Sequence, residues 1–238
     1  MSDCIINPEH RKGEPELPPI GILAVNPTDC SSFTGLAGRY GLTRYSLFHA
    51  QLYSSRAFFL AGPAVGAPMA AICLEKLIVL GARRILVYGW CGSLHSSLGA
   101  GELFVPTGGL SEEGTSGHYQ GEDGGDDDDL RSRLVDTLSR AGHFSCQGRI
   151  WTTDAVYRET REKVARYGAQ GILAVDMEYT ALRAVAAFRR VSLAAVMLVS
   201  DELFHREWAP RLQHKQFRAH SRRLLDNLCA VIHTGEII

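Results

Sequence analysis

No Cys-x-x-Cys pair occurs in this chain, no apolar run reaches membrane-spanning length unbroken, and neither sign of charge prevails. Each absence excludes a class. The six cysteines (Cys4, Cys30, Cys73, Cys91, Cys146 and Cys229) stand singly, several within apolar segments. That pattern suits free thiols in a reducing, cytoplasmic setting and offers no zinc ligand set. The longest apolar stretch, Phe58 to Ala82, is broken by two prolines, Glu75 and Lys76, so it is not a membrane span. Met1 to Pro19 is polar and has no signal-peptide core. Twenty-five basic residues against 26 acidic ones leave a net charge of -1. Such a balance gives no footprint for nucleic acid or a membrane surface. Ser93, Ser116 and Cys91 are available as nucleophiles, but there is no Gly-x-Ser-x-Gly elbow. Gly62-x-x-x-Gly66 and Gly89-x-x-Gly92 do not make the Gly-x-Gly-x-x-Gly dinucleotide fingerprint. The acidic run from Gly121 to Asp129 lacks EF-hand spacing and reads as a solvated loop.

What is present is one globular domain. At 238 residues and 45% hydrophobic, the chain can bury one sizeable core and is short for two. We divide it into a polar extension, 1–19, and a domain, 20–238. Strand patterns cover Ile20–Val25, Arg84–Gly89, Glu102–Pro106, Ser145–Trp151, Ile172–Val175 and Ser192–Val199, with a strand or hairpin region at Leu47–Leu60. A turn is expected at Asn26-Pro27-Thr28-Asp29. Helical spacing covers Val65–Leu80, Leu130–Ala141, Glu159–Tyr167 and Glu178–Phe188. A last helix runs from Trp208 or later to Val231, burying Leu212, Phe217, Leu224, Leu225 and Leu228. The alternation predicts a single three-layer α/β domain, a mixed β-sheet flanked by helices. There is no internal repeat and no linker.

Carboxylates mark the strand ends. Val175-Asp176-Met177-Glu178 and Ser200-Asp201-Glu202-Leu203 each follow an apolar run. Strands buried on both faces read as such runs, and open α/β sheets bind ligands just beyond their C-terminal ends. The glycine-rich strand end Val87-Tyr88-Gly89-Trp90-Cys91-Gly92 adds a third edge. For Asp201 and Glu178, helix capping or a favourable helix-dipole position are the alternatives.

Five segments in order resemble the nucleoside phosphorylase family. They are Gly89-Trp90-Cys91-Gly92-Ser93-Leu94, Glu113-Gly114-Thr115-Ser116-x-His118-Tyr119, Trp151-Thr152-Thr153-Asp154, Val175-Asp176-Met177-Glu178 and Ser200-Asp201. The family holds purine nucleoside phosphorylase, uridine phosphorylase and the methylthioadenosine and adenosylhomocysteine nucleosidases. The resemblance spans roughly residues 20 to 230. It implies cleavage of the bond between ribose C1' and a nucleobase, and assembly as a dimer or hexamer. A purine leaves more readily when N7 takes a proton, which calls for an acid of raised pKa in a dry pocket. Asp201 stands at that acid's position and favours a purine. Glu178 matches the carboxylate that receives the ribose 2'- and 3'-hydroxyls, placing negative charge near the developing cation. Met177 would pack under the sugar, with Asp176 assisting. Gly89, Trp90, Cys91 and Gly92 would form the close-approach edge. Val156 or Tyr157 would take the place of a base-stacking aromatic. His118 and Tyr119 would border sugar or base, or else lie on a surface loop. His214, Lys215 or Arg211 would help the acid.

The chain departs from the phosphorylase pattern where phosphate binds. Phosphate needs fixed cationic donors, best supplied by arginine. The three matching positions here are Asp29, His49 and Val87, and Trp90 replaces a hydroxyl residue. Each charge-assisted hydrogen bond is worth ~1.5–3 kcal/mol, so these replacements weigh against phosphate. The nucleosidases use a carboxylate after the first strand to orient water, and Asp29 falls at or near it. The expectation leans to hydrolysis, with Asp29 as the water's base and no cofactor. Phosphorolysis, with phosphate as co-substrate and Arg44 or Arg56 supplying a cation, stays open. So does a binding protein without turnover.

Overall fold

The computed structural model describes residues 4–47, 50–119, 128–205, 207–208, 210–211 and 214–237. His49, Leu212 and most of the acidic run lie outside them. β1 (Ile20–Ala24) is buried along its whole length. Ile20, Ile22 and Ala24 face one core, and Leu23, with Val25 just beyond, faces the other. A strand apolar on both faces needs helices on both, and the layers follow from that.

On one side lie α3 (Ala67–Val79) and α6 (Tyr179–Arg189). On the other lie α2 (Phe33–Tyr40), α4 (Asp128–Arg140) and α7 (Lys215–His233). Nine strands form one mixed sheet, in the order β2 (Thr43–Leu47), β3 (Ala50–Ser54), β4 (Phe59–Gly62), β1, β5 (Arg84–Ser93), β8 (Ile172–Asp176), β7 (Ser145–Thr153), β6 (Leu103–Glu112) and β9 (Ser192–Glu202). β9 also pairs parallel with β5, so the last five strands close a ring. The expected mixed sheet between helices is present, and this curl is an addition to it.

Several boundaries move for local reasons. The turn after β1 is a one-turn helix, α1 (Pro27–Cys30), because the Asn26 side chain accepts from the Thr28 and Asp29 N–H groups. The α2 segment carries Gly35 and Gly38 and gives little helical signal. It folds because Phe33, Leu36 and Ala37 are buried, and Gly41 ends it in the left-handed region. β6 runs past Pro106, where the pairing with β7 slips, since proline has no N–H to donate. α5 (Arg161–Ala169) starts two residues later than expected because Thr160 caps it through Lys163 N–H. α7 starts at Lys215, leaving Trp208 outside it, and buries Phe217, Leu224, Leu225 and Leu228. Within residues 4–19, Leu17 is buried and its N–H donates to the Leu80 carbonyl, while Lys76 pairs with Glu14. Cys30, Cys73, Cys91, Cys146 and Cys229 are free thiols. Among the described residues no helix is long and apolar enough to cross a membrane, and no His, Cys, Asp and Glu cluster could hold a metal.

Candidate active site

Three strand ends converge on one cleft of about 230 Å³. Gly92 of β5 is in register with Val175 of β8 on one side and, past an irregularity at Cys91, with Asp201 of β9 on the other. A Cβ at Gly92 would lie 2.3 Å from Leu203 Cδ1 and 3.1 Å from Val175 Cγ1. Only glycine lets the three strands close this tightly. Trp90, Cys91, Asp176, Met177, Glu178 and Asp201 all line the cleft. Asn26 and Pro27 border it from the β1–α1 turn, Val65 from the approach to α3, and Val156 and Glu159 from the turn before α5.

Asp176 and Glu178 have separate tasks. Asp176 Oδ2 accepts from the Glu178 and Tyr179 N–H groups at 3.1 and 2.6 Å, and Oδ1 accepts from the Thr152 hydroxyl at 2.6 Å. Asp176 therefore satisfies the open N-terminus of α6. Glu178, expected within that helix, precedes it and makes no cap. Its Oε1 instead accepts from Gly66 N–H at 2.6 Å, presented by a backbone at φ +80°. Burial, and then the charge of Asp176, push Glu178 up to about 8. Burial also raises Asp176, against the hydrogen bonds from Thr152, Tyr179 and Glu178.

Asp201 is buried, with Oδ1 accepting from Ser200 Oγ at 2.6 Å and Oδ2 from the Trp208 indole N–H at 2.8 Å. Trp208 is largely exposed and lines the cleft beside Asp201.

Asp29 is placed differently from a water-activating base. It is 1% exposed and is not among the residues that line the cleft. Oδ1 accepts from Ser221 Oγ at 2.7 Å, and Oδ2 from Asn26 Nδ2 at 2.8 Å. Burial raises it to about 6, against the hydrogen bonds of Ser221 and Trp90 and the charge of Arg222. Trp90 donates its indole N–H to Ser221 Oγ at 2.8 Å and meets Phe217 edge-on. The indole thus fills the corner between the cleft and α7. Val87 is a fully buried core residue.

Other expected residues stand apart. His118 is exposed in a single 3-10 turn, and Tyr119 packs on Phe188, so neither borders the cleft. Their loop is held back by Glu113, which accepts from the Thr115 and Ser116 N–H groups and from the Thr180 hydroxyl. Gly89 serves packing, since a Cβ there would meet Val25 Cγ2 at 2.5 Å. Tyr157 is 96% exposed and faces an outer cavity only, whereas Val156 borders both. Arg44, Arg56, Arg211, His214 and Lys215 do not line the cleft. Sequence reasoning missed Glu159, Trp208 and Val65, whereas Asn26 was an expected alternative to Asp29 in the turn after β1. The only signal for Glu159 was an acidic residue just ahead of a Thr N-cap. A larger cavity of about 490 Å³, around His95, Arg161 and Phe204, has no carboxylate among the described residues of its lining.

A family model described as "Phosphorylase superfamily" matches residues 25–234. A guanosine phosphorylase of Halorubrum lacusprofundi is 31% identical over 141 residues, 58% of each chain, so this alignment spans just over half of that relative. A DeoD-type purine nucleoside phosphorylase of Bacillus thuringiensis is 26% identical over 180 residues, 74% of each chain. In structure, the purine nucleoside phosphorylase of Toxoplasma gondii, crystallised with immucillin-H, superposes with a TM-score of 0.77 at 17% identity, over 99% of both chains. The chain belongs to the phosphorylase superfamily, within its nucleoside phosphorylases and nucleosidases, enzymes that cleave N-glycosidic bonds.

Proposed function

We propose that this enzyme cleaves purine nucleosides, with Asp201 giving a proton to N7 and Glu178 holding the ribose hydroxyls. The observation that carries this is that Glu178 and Asp201 open onto one cleft with Met177 between β8 and α6. Glu178, freed from capping by Asp176, has a carboxylate oxygen beyond the one held by Gly66 for a sugar hydroxyl. When ionised it stabilises the positive sugar more than the neutral ground state. Purine N7 would take the place of the Trp208 indole at Asp201 Oδ2. The C1'–N9 bond breaks as N7 gains the proton, and the base leaves neutral.

Hydrolysis is the favoured form. The described lining of the cleft has four carboxylates, Asp176, Glu178, Asp201 and Glu159, and no Lys, Arg or His. An anion there meets negative charge without fixed donors. Asp29 would then act through Asn26, which borders the cleft and donates to it, by positioning the attacking water. One observation favours phosphorolysis as a second reading. Asp29 itself is turned away, so the cleft lacks the expected base for water. Cations would then come from a second copy of the chain in a dimer or hexamer. Product analysis decides. Purine release that is insensitive to phosphate, with free ribose as product, is the expected result. Ribose 1-phosphate, formed only with phosphate, would establish the second reading. No release from any purine nucleoside would sink both.

A further inference from the structure

Two cavities continue the active cleft outward. One, of about 270 Å³, shares Val156, Glu159, Asp201 and Trp208 with the cleft. The other, of about 490 Å³, shares Arg161, Val164, Leu203 and His205 with the first. The three spaces therefore lie in series, and their charge reverses along the way. The described lining of the cleft holds four carboxylates and no Lys, Arg or His. The described lining of the outermost space holds Arg161, His95 and His205 and no Asp or Glu.

The outermost space is a groove with ordered walls. Arg161, Val164, Ala165, Gly168 and Ala169 recur at three- and four-residue steps on α5, so they share one helix face. At 1.5 Å per residue that face is roughly 12 Å long. The chain leaving β9 supplies Leu203, Phe204 and His205 as a second wall. The Phe204 and His205 rings meet at 4.3 Å between centroids. His205 Nε2 lies 2.8 Å from Glu202 Oε2, and Glu202 also accepts from Ala100 N–H. His95 Nδ1 lies 2.9 Å from Ser97 Oγ. Glu202 balances His205 from behind, so the Arg161 guanidinium supplies the groove's permanent positive charge.

Purine geometry indicates which substituent enters, and this step rests on the proposed function. With ribose on Glu178 and N7 at Asp201, the exocyclic group on C6 lies on the same edge of the base as N7. It leaves the base beside Asp201, where the first outer cavity opens toward Leu203, His205 and Arg161. Atoms that pass Glu159 and Asp201 are best uncharged, and a charge that goes on to Arg161 is best negative.

We propose that the two outer cavities hold an acidic chain carried on C6 of the base, and that the substrate class is 6-aminopurine nucleosides whose exocyclic nitrogen bears a short carboxylate-containing substituent. The nitrogen and its first carbon cross the junction at Asp201. The carboxylate lies against Arg161, at the first turn of α5, and the carbon chain packs on Val164 and Leu203.

Equilibrium dialysis of the full-length protein at low ionic strength tests this with three labelled bases that cannot turn over: 6-(1,2-dicarboxyethylamino)purine, its dimethyl ester and adenine. The diacid should bind about fivefold or more tightly than adenine, the upper worth of one exposed ion pair. The ester should lose most of that gain, and about 0.5 M salt should shrink it. In Arg161→Gln the ratio of diacid to adenine affinity should fall to within about twofold. A wild type that binds the diacid no better than adenine, or binds neither, overturns the proposal whether or not the variant folds. An ester that binds as tightly as the diacid overturns it too, since the groove would then take an apolar chain. So does a ratio that survives in Arg161→Gln. Cleavage of the matching nucleosides separates this from the reading beneath it. Adenosine cleaved as efficiently as its acid-bearing form upholds the Asp201 and Glu178 assignment and sinks that of the groove. A diacid preference lost in Arg161→Gln, in a chain that cleaves no nucleoside, does the reverse.

Discussion

Asp29→Asn separates a catalytic base from a buried support. In the folded chain Asp29 rises from an ordinary 3.8 to about 6, chiefly through burial. At about 1.4 kcal/mol per pH unit, that gap is worth ~3 kcal/mol. The sign follows from linkage. The folded value lies above the unfolded one, so this stability is fully present below pH 4 and is lost as pH rises through about 6. Asparagine carries no charge and removes the loss. The network can adjust to it. The substituted carboxamide would keep one acceptor for Asn26 Nδ2 and offer an N–H to Ser221 Oγ. The Ser221 hydroxyl would then donate to the Tyr88 phenol at 2.8 Å, and the phenol to the Ser221 carbonyl at 2.9 Å. Exchanging a charge-assisted bond for a neutral one costs about 1 kcal/mol.

The expected result is a variant about 2 kcal/mol more stable than wild type at pH 8, with the advantage gone or reversed at pH 4. Denaturant unfolding at the two pH values measures it. Purine release should fall by less than about tenfold, below the ~10²–10⁴ that a general base supplies. A loss of a hundredfold or more with the fold intact would put Asp29 back in the reaction as a base. A variant destabilised equally at both pH values would refute the burial reasoning.

Asp201→Asn should lower kcat by ~10²–10⁴, the contribution of a general acid, with KM within a few-fold; steady-state kinetics that lose both equally would make Asp201 a binding residue. Glu178→Gln should lower kcat/KM by about 10- to 100-fold, from the loss of one charge-assisted bond. The same variant should unfold at a higher temperature than wild type at pH 9. The folded Glu178 value is raised, so its stability is lost as pH rises through about 8, and glutamine escapes that loss. A Tm difference that does not grow from pH 5 to pH 9 would contradict this.

The layers and most elements were legible because β1, β5 and β9 read as apolar runs and the helices as amphipathic ones. The α2 helix was not, since its glycines hide a segment that only tertiary burial makes helical. That Glu178, Asp176, Met177 and Asp201 meet at one cleft was legible because strand ends place side chains predictably. Trp208 and Glu159 were not, because both sit on irregular backbone whose direction comes from contacts distant in sequence. Asp29 shows a further limit. Its chain position beside the cleft was right, but the side-chain direction is set by Ser221, 192 residues away.

The position of a helix start decides which acid can do chemistry. Near α6, two carboxylates stand two residues apart, and one of them must meet the open N–H groups of the first turn. Asp176 has the short side chain and the extended strand-end backbone that reach the Glu178 and Tyr179 N–H groups, so it is consumed by the fold. Glu178, at the boundary, turns outward to Gly66 and the cleft. Near α5 the cap is a threonine, and the acid ahead of it, Glu159, is likewise left to the cleft. In both places a dedicated capping residue releases a glutamate that a helix one residue longer at its start would have bound into its first turn. The acidity of the site is therefore a property of where two helices begin. A cleft built this way is suited to hydroxyls, ring N–H groups and a developing cation, and poorly suited to an anion.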